Sequence, residues 1–292
     1  MSSVPSDEWI QAADDQLSAA DMAVRTRPAE ALVAWCEAHG PTGFSSPEAR
    51  AIFDWYERNY PPGTFSVGSL FTGAFYFDQA LWPVHVPVGY GTFQVTINRM
   101  VANMTKMIGD RLSRNGQSLS DLTALAVDCL DYGYGFDDLR NEPLSSPLAR
   151  DMLTSGHKEL QAAVRVLLSD RPSEKVEESA ALAIEMFLKS YLAQHAGLVE
   201  EGAKKIGHNL AQALRQCLAH GCSPELHILQ GSVGSLPQVA GARYKPRAYS
   251  LKELWYAYSL AQFAGACVIR SMTDRDCRAS LRATTGTDHD AT

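Results

Sequence analysis

The sequence lacks any apolar run of the ~18–20 residues that a membrane-spanning helix needs. Its opening stretch, MSSVPSDEWIQAADDQ, carries acids where a signal peptide would carry an apolar core. It has no C-x-x-C pair: six cysteines stand apart at 36, 129, 217, 222, 267 and 277. With no export signal, they are expected as reduced thiols in a cytoplasm. A basic excess is also missing. The formal net charge is −7, which argues against a nucleic-acid binder that works through a broad positive surface. There is no internal repeat and no low-complexity tract, which excludes a repeat array. What is present is a globular composition, 46% apolar over 292 residues. That length fits one large domain or two of ordinary size, with a substantial core.

Read in order, the chain is mostly helical. Residues 6–24, 28–39 and 47–59 form three helices, the second stopped by Gly40-Pro41 and the third ended before Pro61-Pro62-Gly63. Residues 64–92 break the 3.6-residue period with aromatics, β-branched residues, prolines and glycines, and predict extended segments and turns, with one irregular hairpin as an option. Helices follow at 93–112 and 119–130. A Tyr/Gly/Asp/Pro-rich loop is expected over 131–146, then a helix over 147–169. Asp170-Arg171-Pro172-Ser173 reads as a boundary. Four helical segments come after it, at about 174–194, 201–219, 223–236 and 250–272. Short links between them predict an antiparallel bundle. The end of the chain is expected to be a basic and then disordered tail over 273–292.

Three pieces of the C-terminal half stand in a telling order. The first is a helix with a Leu-Lys pair, Glu185-Met186-Phe187-Leu188-Lys189-Ser190-Tyr191-Leu192. The second is Gly207-His208-Asn209-Leu210. The third is Ala242-Arg243-Tyr244, ahead of the last helix. Together they resemble the HEPN domain, with its G-H-[DN]-L element and its R-Y element. The resemblance covers roughly residues 174–272, about a third of the chain. It implies an all-helical bundle that often dimerises. It also implies one of two activities: metal-independent RNA cleavage of toxin–antitoxin or antiviral type, or binding of nucleotide, RNA or protein without catalysis. Residues 1–170 carry no comparable motif.

Nuclease members carry an arginine, four to six residues, then a histidine. Three pairs here have that spacing: Arg150/His157, Arg215/His220 and Arg282/His289. Only Arg215/His220 lies inside the bundle, and a five-residue separation places the two about 140° apart around an ideal helix. None sits on the final helix, where the resemblance would place the motif. In the nuclease reading Arg215 stabilises phosphoryl charge and His220 polarises or deprotonates the ribose 2′-hydroxyl.

The binding reading draws on other residues. His208 and Asn209 could meet a ligand, or His208 could tie two helices together by hydrogen bonds. Lys204, Lys205, Arg243, Lys245 and Arg247, with Tyr244 and Tyr249 between them, suit phosphate contact and base stacking, or form a solvated face. Arg243 and Tyr244 could equally dock their loop onto the bundle. The aromatics Phe71, Phe75, Tyr76, Phe77, Trp82, Tyr90 and Phe93 line a pocket or interface, or fold over the core. Asp78, Trp82 and His85 are the polar groups expected beside any such pocket. Cys217, His220, Cys222 and His227 have zinc-ligand types but no zinc-finger spacing. Asp128, Asp131, Asp137 and Asp138 suit a hard cation or, more simply, turns and caps. Arg270, Arg275, Arg278 and Arg282 complement a helix end.

The sequence therefore predicts a mainly α, cytoplasmic protein with no membrane segment. It has an N-terminal helical region over 1–170 that contains the short extended segment, and a HEPN-like bundle over 174–272. It acts by binding a nucleotide, RNA or partner protein, and forms a homodimer. It needs no cofactor and no metal. The alternatives are an endoribonuclease and a structural dimerisation scaffold.

Overall fold

Side-chain caps start many of the helices. Ser6, Ser46, Ser146 and Asn209 each accept a backbone N–H from the first turn of the helix they precede, and Ser250 with Glu253 closes a reciprocal capping box. The computed structural model describes residues 4–43, 46–61, 68–88, 94–142, 144–234, 236 and 249–285. Arg243 and Tyr244 lie outside the described residues. The chain divides into two compact units, Met1–Gly68 and Ser69–Thr292.

The first unit is three helices, α1 (Asp7–Ala19), α2 (Arg27–His39) and α3 (Pro47–Asn59). Ile10, Leu32, Trp35, Ile52, Trp55 and Tyr56 are buried together as its core. Asp14 is buried beside them, where it accepts the Tyr60 hydroxyl at 2.7 Å and lies 3.5 Å from Arg27.

The second unit begins with an antiparallel hairpin, β1 (Ser69–Phe77) and β2 (Ala80–Pro87), the only strands among the described residues. Its two-residue turn, Asp78-Gln79, has positive φ at both positions (53° and 62°), which matches the twist of the strands. Helices follow at α4 (Ile97–Met100), α5 (Lys106–Ser113), α6 (Gly116–Asn141), α7 (Pro147–Leu167), α8 (Lys175–His195), α9 (Glu200–Ile206) and α10 (Leu210–Ala219). A 3-10 helix, Pro224–Gly231, then leads towards α11 (Leu251–Met272) and α12 (Cys277–Thr285). The mainly helical class and the hairpin within 64–92 are as the sequence predicts. The stretch 170–174 joins α7 to α8 inside the second unit, which begins at Ser69, well before residue 174.

Several boundaries differ from the sequence reading. The helix expected over 6–24 ends at Ala19. The helix expected over 93–112 is broken between α4 and α5 by turns at Val101–Met104. That over 201–219 breaks at Gly207, whose φ of 56° and ψ of −136° suit a residue with no Cβ. The helix expected from 223 is a 3-10 helix, and the expected tail carries α12. The largest difference is α6, which runs unbroken through Tyr132-Gly133-Tyr134-Gly135-Phe136, where a loop was expected. Glycine costs a helix about 1 kcal/mol against alanine, and here close packing offsets it. A Cβ on Gly133 would come within 3.2 Å of Phe71 and 3.3 Å of Val86, and one on Gly135 would collide with Ile269. The two glycines thus let α6 approach the hairpin on one side and α11 on the other.

The core of this unit lies among α6, α7, α8, α11 and the inner face of β1. Phe187 of α8 sits at its centre, against Tyr132 edge-on at 5.7 Å. Phe71 meets Tyr132 and Phe75 meets Trp255, both edge-on, and the Trp255 indole donates to the Ala74 carbonyl at 2.8 Å. These hairpin aromatics therefore fold over the helical core.

Candidate functional site

The G-H-N-L turn is built from the inside out. Glu185 and Lys189, one turn apart on α8, are both buried and paired at 2.6 Å. The second carboxylate oxygen of Glu185 reaches His208 Nδ1 at 2.8 Å, while the His208 side chain is 59% exposed. Gly207 turns the chain so that this contact forms, and Asn209 caps α10 by accepting the Gln212 N–H at 2.9 Å. His208 thus fastens the α9–α10 turn to α8. Lys205 is exposed, and Lys204 pairs with Glu200 at the surface.

The remaining predicted residues do not join it. Arg215 is exposed midway along α10 and His220 is exposed at its end, where the His220 carbonyl accepts the Tyr191 hydroxyl at 2.9 Å. Asp78 sits in the hairpin turn and pairs with Arg111 of α5 at 2.6 Å. Trp82 donates to the Phe77 carbonyl at 3.1 Å, and His85 lies on the outer face, 3.2 Å from Thr72. Cys217 donates to the Leu188 carbonyl and Cys222 lies beside Ser271, so neither thiol faces His220 or His227 in a shared site. Burial pushes the Cys222 thiol up to about 11 and the Cys267 thiol to about 12, which keeps both protonated and weakly nucleophilic at neutral pH.

Of the formal Arg–His pairs, His157 has the most unusual surroundings. It stacks on Phe136 at 3.8 Å and lies 3.0 Å from the Tyr132 hydroxyl. Burial first, then the fields of Arg140 and Arg165, lower its pKa to about 4. Arg150, its sequence partner, is exposed.

A further polar site has no counterpart among the sites singled out in the sequence. It is a cleft of about 840 Å³ at one end of the bundle, where α6, α8 and α11 all finish. Its wall comes from Asp138, Asn141 and Glu142 of the α6 end, Ser145, Gln194 of α8, and the turn Ser271–Arg275 after α11. Gln194 holds the α6–α7 link in place: its Oε1 accepts the Ser146 N–H at 3.2 Å and its Nε2 donates to Ser145 at 3.1 Å. Arg275 is gripped by both oxygens of Asp138, at 2.6 and 3.1 Å. The lining holds three carboxylates (Asp138, Glu142, Asp274) and one guanidinium. Three helix ends add the partial negative charge of their last carbonyls. No histidine, cysteine or lysine lines it among the described residues. The arrangement can orient a ligand by hydrogen bonds and favours positive charge.

Beside it lies a second polar centre that joins two expected clusters. Asp128 and Asp131 are on α6 and buried, not in a loop, and Arg270 of α11 reaches both, at 2.8 and 3.1 Å. Arg278 of α12 reaches Asp128 at 2.6 Å. The aspartates expected as turn residues and the arginines expected as helix-end charges are each other's partners. No protein-family model, curated protein or solved structure matches the chain.

Proposed function

We propose that this protein works by binding, on a HEPN-like bundle, and that it takes a small positively charged ligand into the cleft where α6, α8 and α11 end. The lining carries this reading: it holds three carboxylates, Asp138, Glu142 and Asp274, and one guanidinium, which Asp138 already pairs. The volume lies in the range of small-molecule sites, and Asn141, Ser145 and Thr273 supply hydrogen-bonding groups for orientation. A linear polyamine has the matching chemistry, since its spaced ammonium groups need several separate acceptors. A nucleotide or RNA would meet the wrong sign of charge here and would need Lys204, Lys205 and the 243–247 stretch instead. In this reading His208 has a mechanical part, fastening the α9–α10 turn to Glu185 of α8 through Nδ1. Helix-mediated homodimerisation belongs to the same proposal, as the HEPN resemblance implies.

Titration calorimetry with spermidine and with ATP tests the ligand class. Spermidine is expected to bind, and Glu142→Gln with Asp274→Asn should weaken it by about tenfold, as loss of two partly exposed charge contacts implies. Heat from ATP and none from spermidine would defeat the reading. Labelled RNA in chelator should stay intact; cleavage that His220→Ala abolishes would establish the nuclease alternative.

A further inference from the structure

The two buried aspartates of α6 divide their oxygens in the same way. Arg270 takes Asp128 Oδ1 and Asp131 Oδ2, from inside the core. The other two oxygens face α12: Asp128 Oδ2 accepts Arg278 Nη2 at 2.6 Å, and Asp131 Oδ1 accepts the Cys277 backbone N–H at 2.8 Å. Phe263 of α11 lies under the Arg278 guanidinium at 5.4 Å, an arrangement that favours a planar cation. Arg270 also reaches Glu225 at 3.2 Å. The seat is therefore ordered by groups that do not belong to α12.

The occupant is held differently. None of the α12 side chains from Cys277 to Leu281 is buried. Its first turn is fixed by charge and hydrogen bonds, with Asp276 capping Ala279 at 2.8 Å and Arg275 paired to Asp138. A pre-ordered seat and an occupant whose side chains at Cys277, Ala279 and Ser280 are exposed, with Arg278 the covered one at 17%, make a separable pair.

We propose that the surface formed by Asp128, Asp131 and Phe263 is an arginine-recognition site, filled in cis by Arg278, and that α12 is a strap which an arginine at the start of a partner's helix displaces. The site reads two features together. The guanidinium goes to Asp128, and the free N–H of the residue before it goes to Asp131. Lysine fits poorly, because an ammonium has no flat face for Phe263 and no second arm: Arg278 binds Asp128 through Nη2 while its Nη1 lies 3.8 Å from Glu225. The site is distinct from the bundle-end cleft, and the inference does not depend on what that cleft binds.

The test uses the full chain labelled with ¹⁵N and an unlabelled peptide spanning Asp276–Thr285. The peptide is expected to speed amide exchange at Cys277 and Ala279 by ~3-fold or more, as local opening of the strap requires. The same peptide with Arg278→Ala or Arg278→Lys should have no such effect at equal ionic strength. In full-length Arg278→Ala, methylguanidinium should raise the melting temperature saturably, whereas methylammonium should not. Equal acceleration by all three peptides, or none by any, would overturn the proposal. So would a folded Arg278→Ala protein that methylguanidinium does not stabilise. If that variant does not fold, the exchange measurement on the wild-type chain decides alone.

Discussion

The half-buried His157 and the buried Glu185 affect stability in different ways. His157 has its pKa lowered to about 4, chiefly by burial, whereas a histidine in the unfolded chain titrates near 6.5. Between those values the unfolded chain binds the extra proton and the folded chain does not. Stability from the neutral ring is therefore full above about pH 6.5 and falls as pH drops towards 4. The loss is on the order of 3 kcal/mol across the window. Melting temperature followed from pH 7.5 to 4.5 should show this slope, and His157→Gln should flatten it. An unchanged slope in the variant would place the titration elsewhere. Glu185 works the other way, as the shared partner of Lys189 and His208. Glu185→Ala leaves the Lys189 ammonium buried and unpaired, at a cost of about 3–5 kcal/mol. His208→Ala removes a contact whose imidazole is half in water, and about 1 kcal/mol is expected. Chemical denaturation of the two single variants and the double variant should give a coupling of at least ~0.5 kcal/mol. Strict additivity would mean that the imidazole does not tie the turn to α8.

At the scale of elements, α6 is where sequence pattern and tertiary packing part. The helices α2, α3 and α7 were legible from a proline in the first turn, α8 from apolar residues at helical spacing, and α11 from its run of small residues after Ser250. The hairpin was legible because prolines, glycines and β-branched residues interrupt the helical period. By contrast, Tyr132-Gly133-Tyr134-Gly135 carries the residues of a loop, and what keeps it helical lies elsewhere: Phe71, Val86 and Ile269 occupy the space that side chains at Gly133 and Gly135 would fill. Gly135→Ala tests this directly. Helix propensity alone predicts a gain of about 1 kcal/mol. The collision with Ile269 predicts instead a net loss of ~1–3 kcal/mol, as overpacked cores show. Pairing the change with Ile269→Val should recover part of that loss in a urea melt, and a stabilised single variant would contradict the close approach. The same limit hid the charge network. Asp128 and Arg270 are 142 residues apart, so each cluster offered only a local meaning until α6 and α11 lay side by side. The cleft was equally illegible, since it is made from the ends of helices rather than from a motif. The histidine–helix tie at 208 was legible because its partner stands on the neighbouring helix of the bundle.

At the scale of the whole molecule, two separate cores imply two separate stabilities. Among the described residues, the first unit buries eight hydrophobic ones from three short helices. The second buries a much longer set drawn from helices α4 to α11 and the hairpin. Buried fraction rises with domain size, so the smaller unit has the thinner margin. It also holds three of the five tryptophans, Trp9, Trp35 and Trp55, while Trp82 and Trp255 belong to the second. Tryptophan emission is thus weighted towards the first unit and far-UV circular dichroism towards the second. In guanidinium chloride the emission change is expected at lower denaturant than the loss of helical signal, which is the signature of a non-two-state chain. Residues 69–292 produced alone should keep the second transition to within about 3 °C on heating, since the buried cluster of that unit is drawn from its own elements. Coincident transitions in the full chain, together with a fragment that fails to fold, would require the first unit to stabilise the second. The boundary that matters for folding would then no longer lie at Gly68.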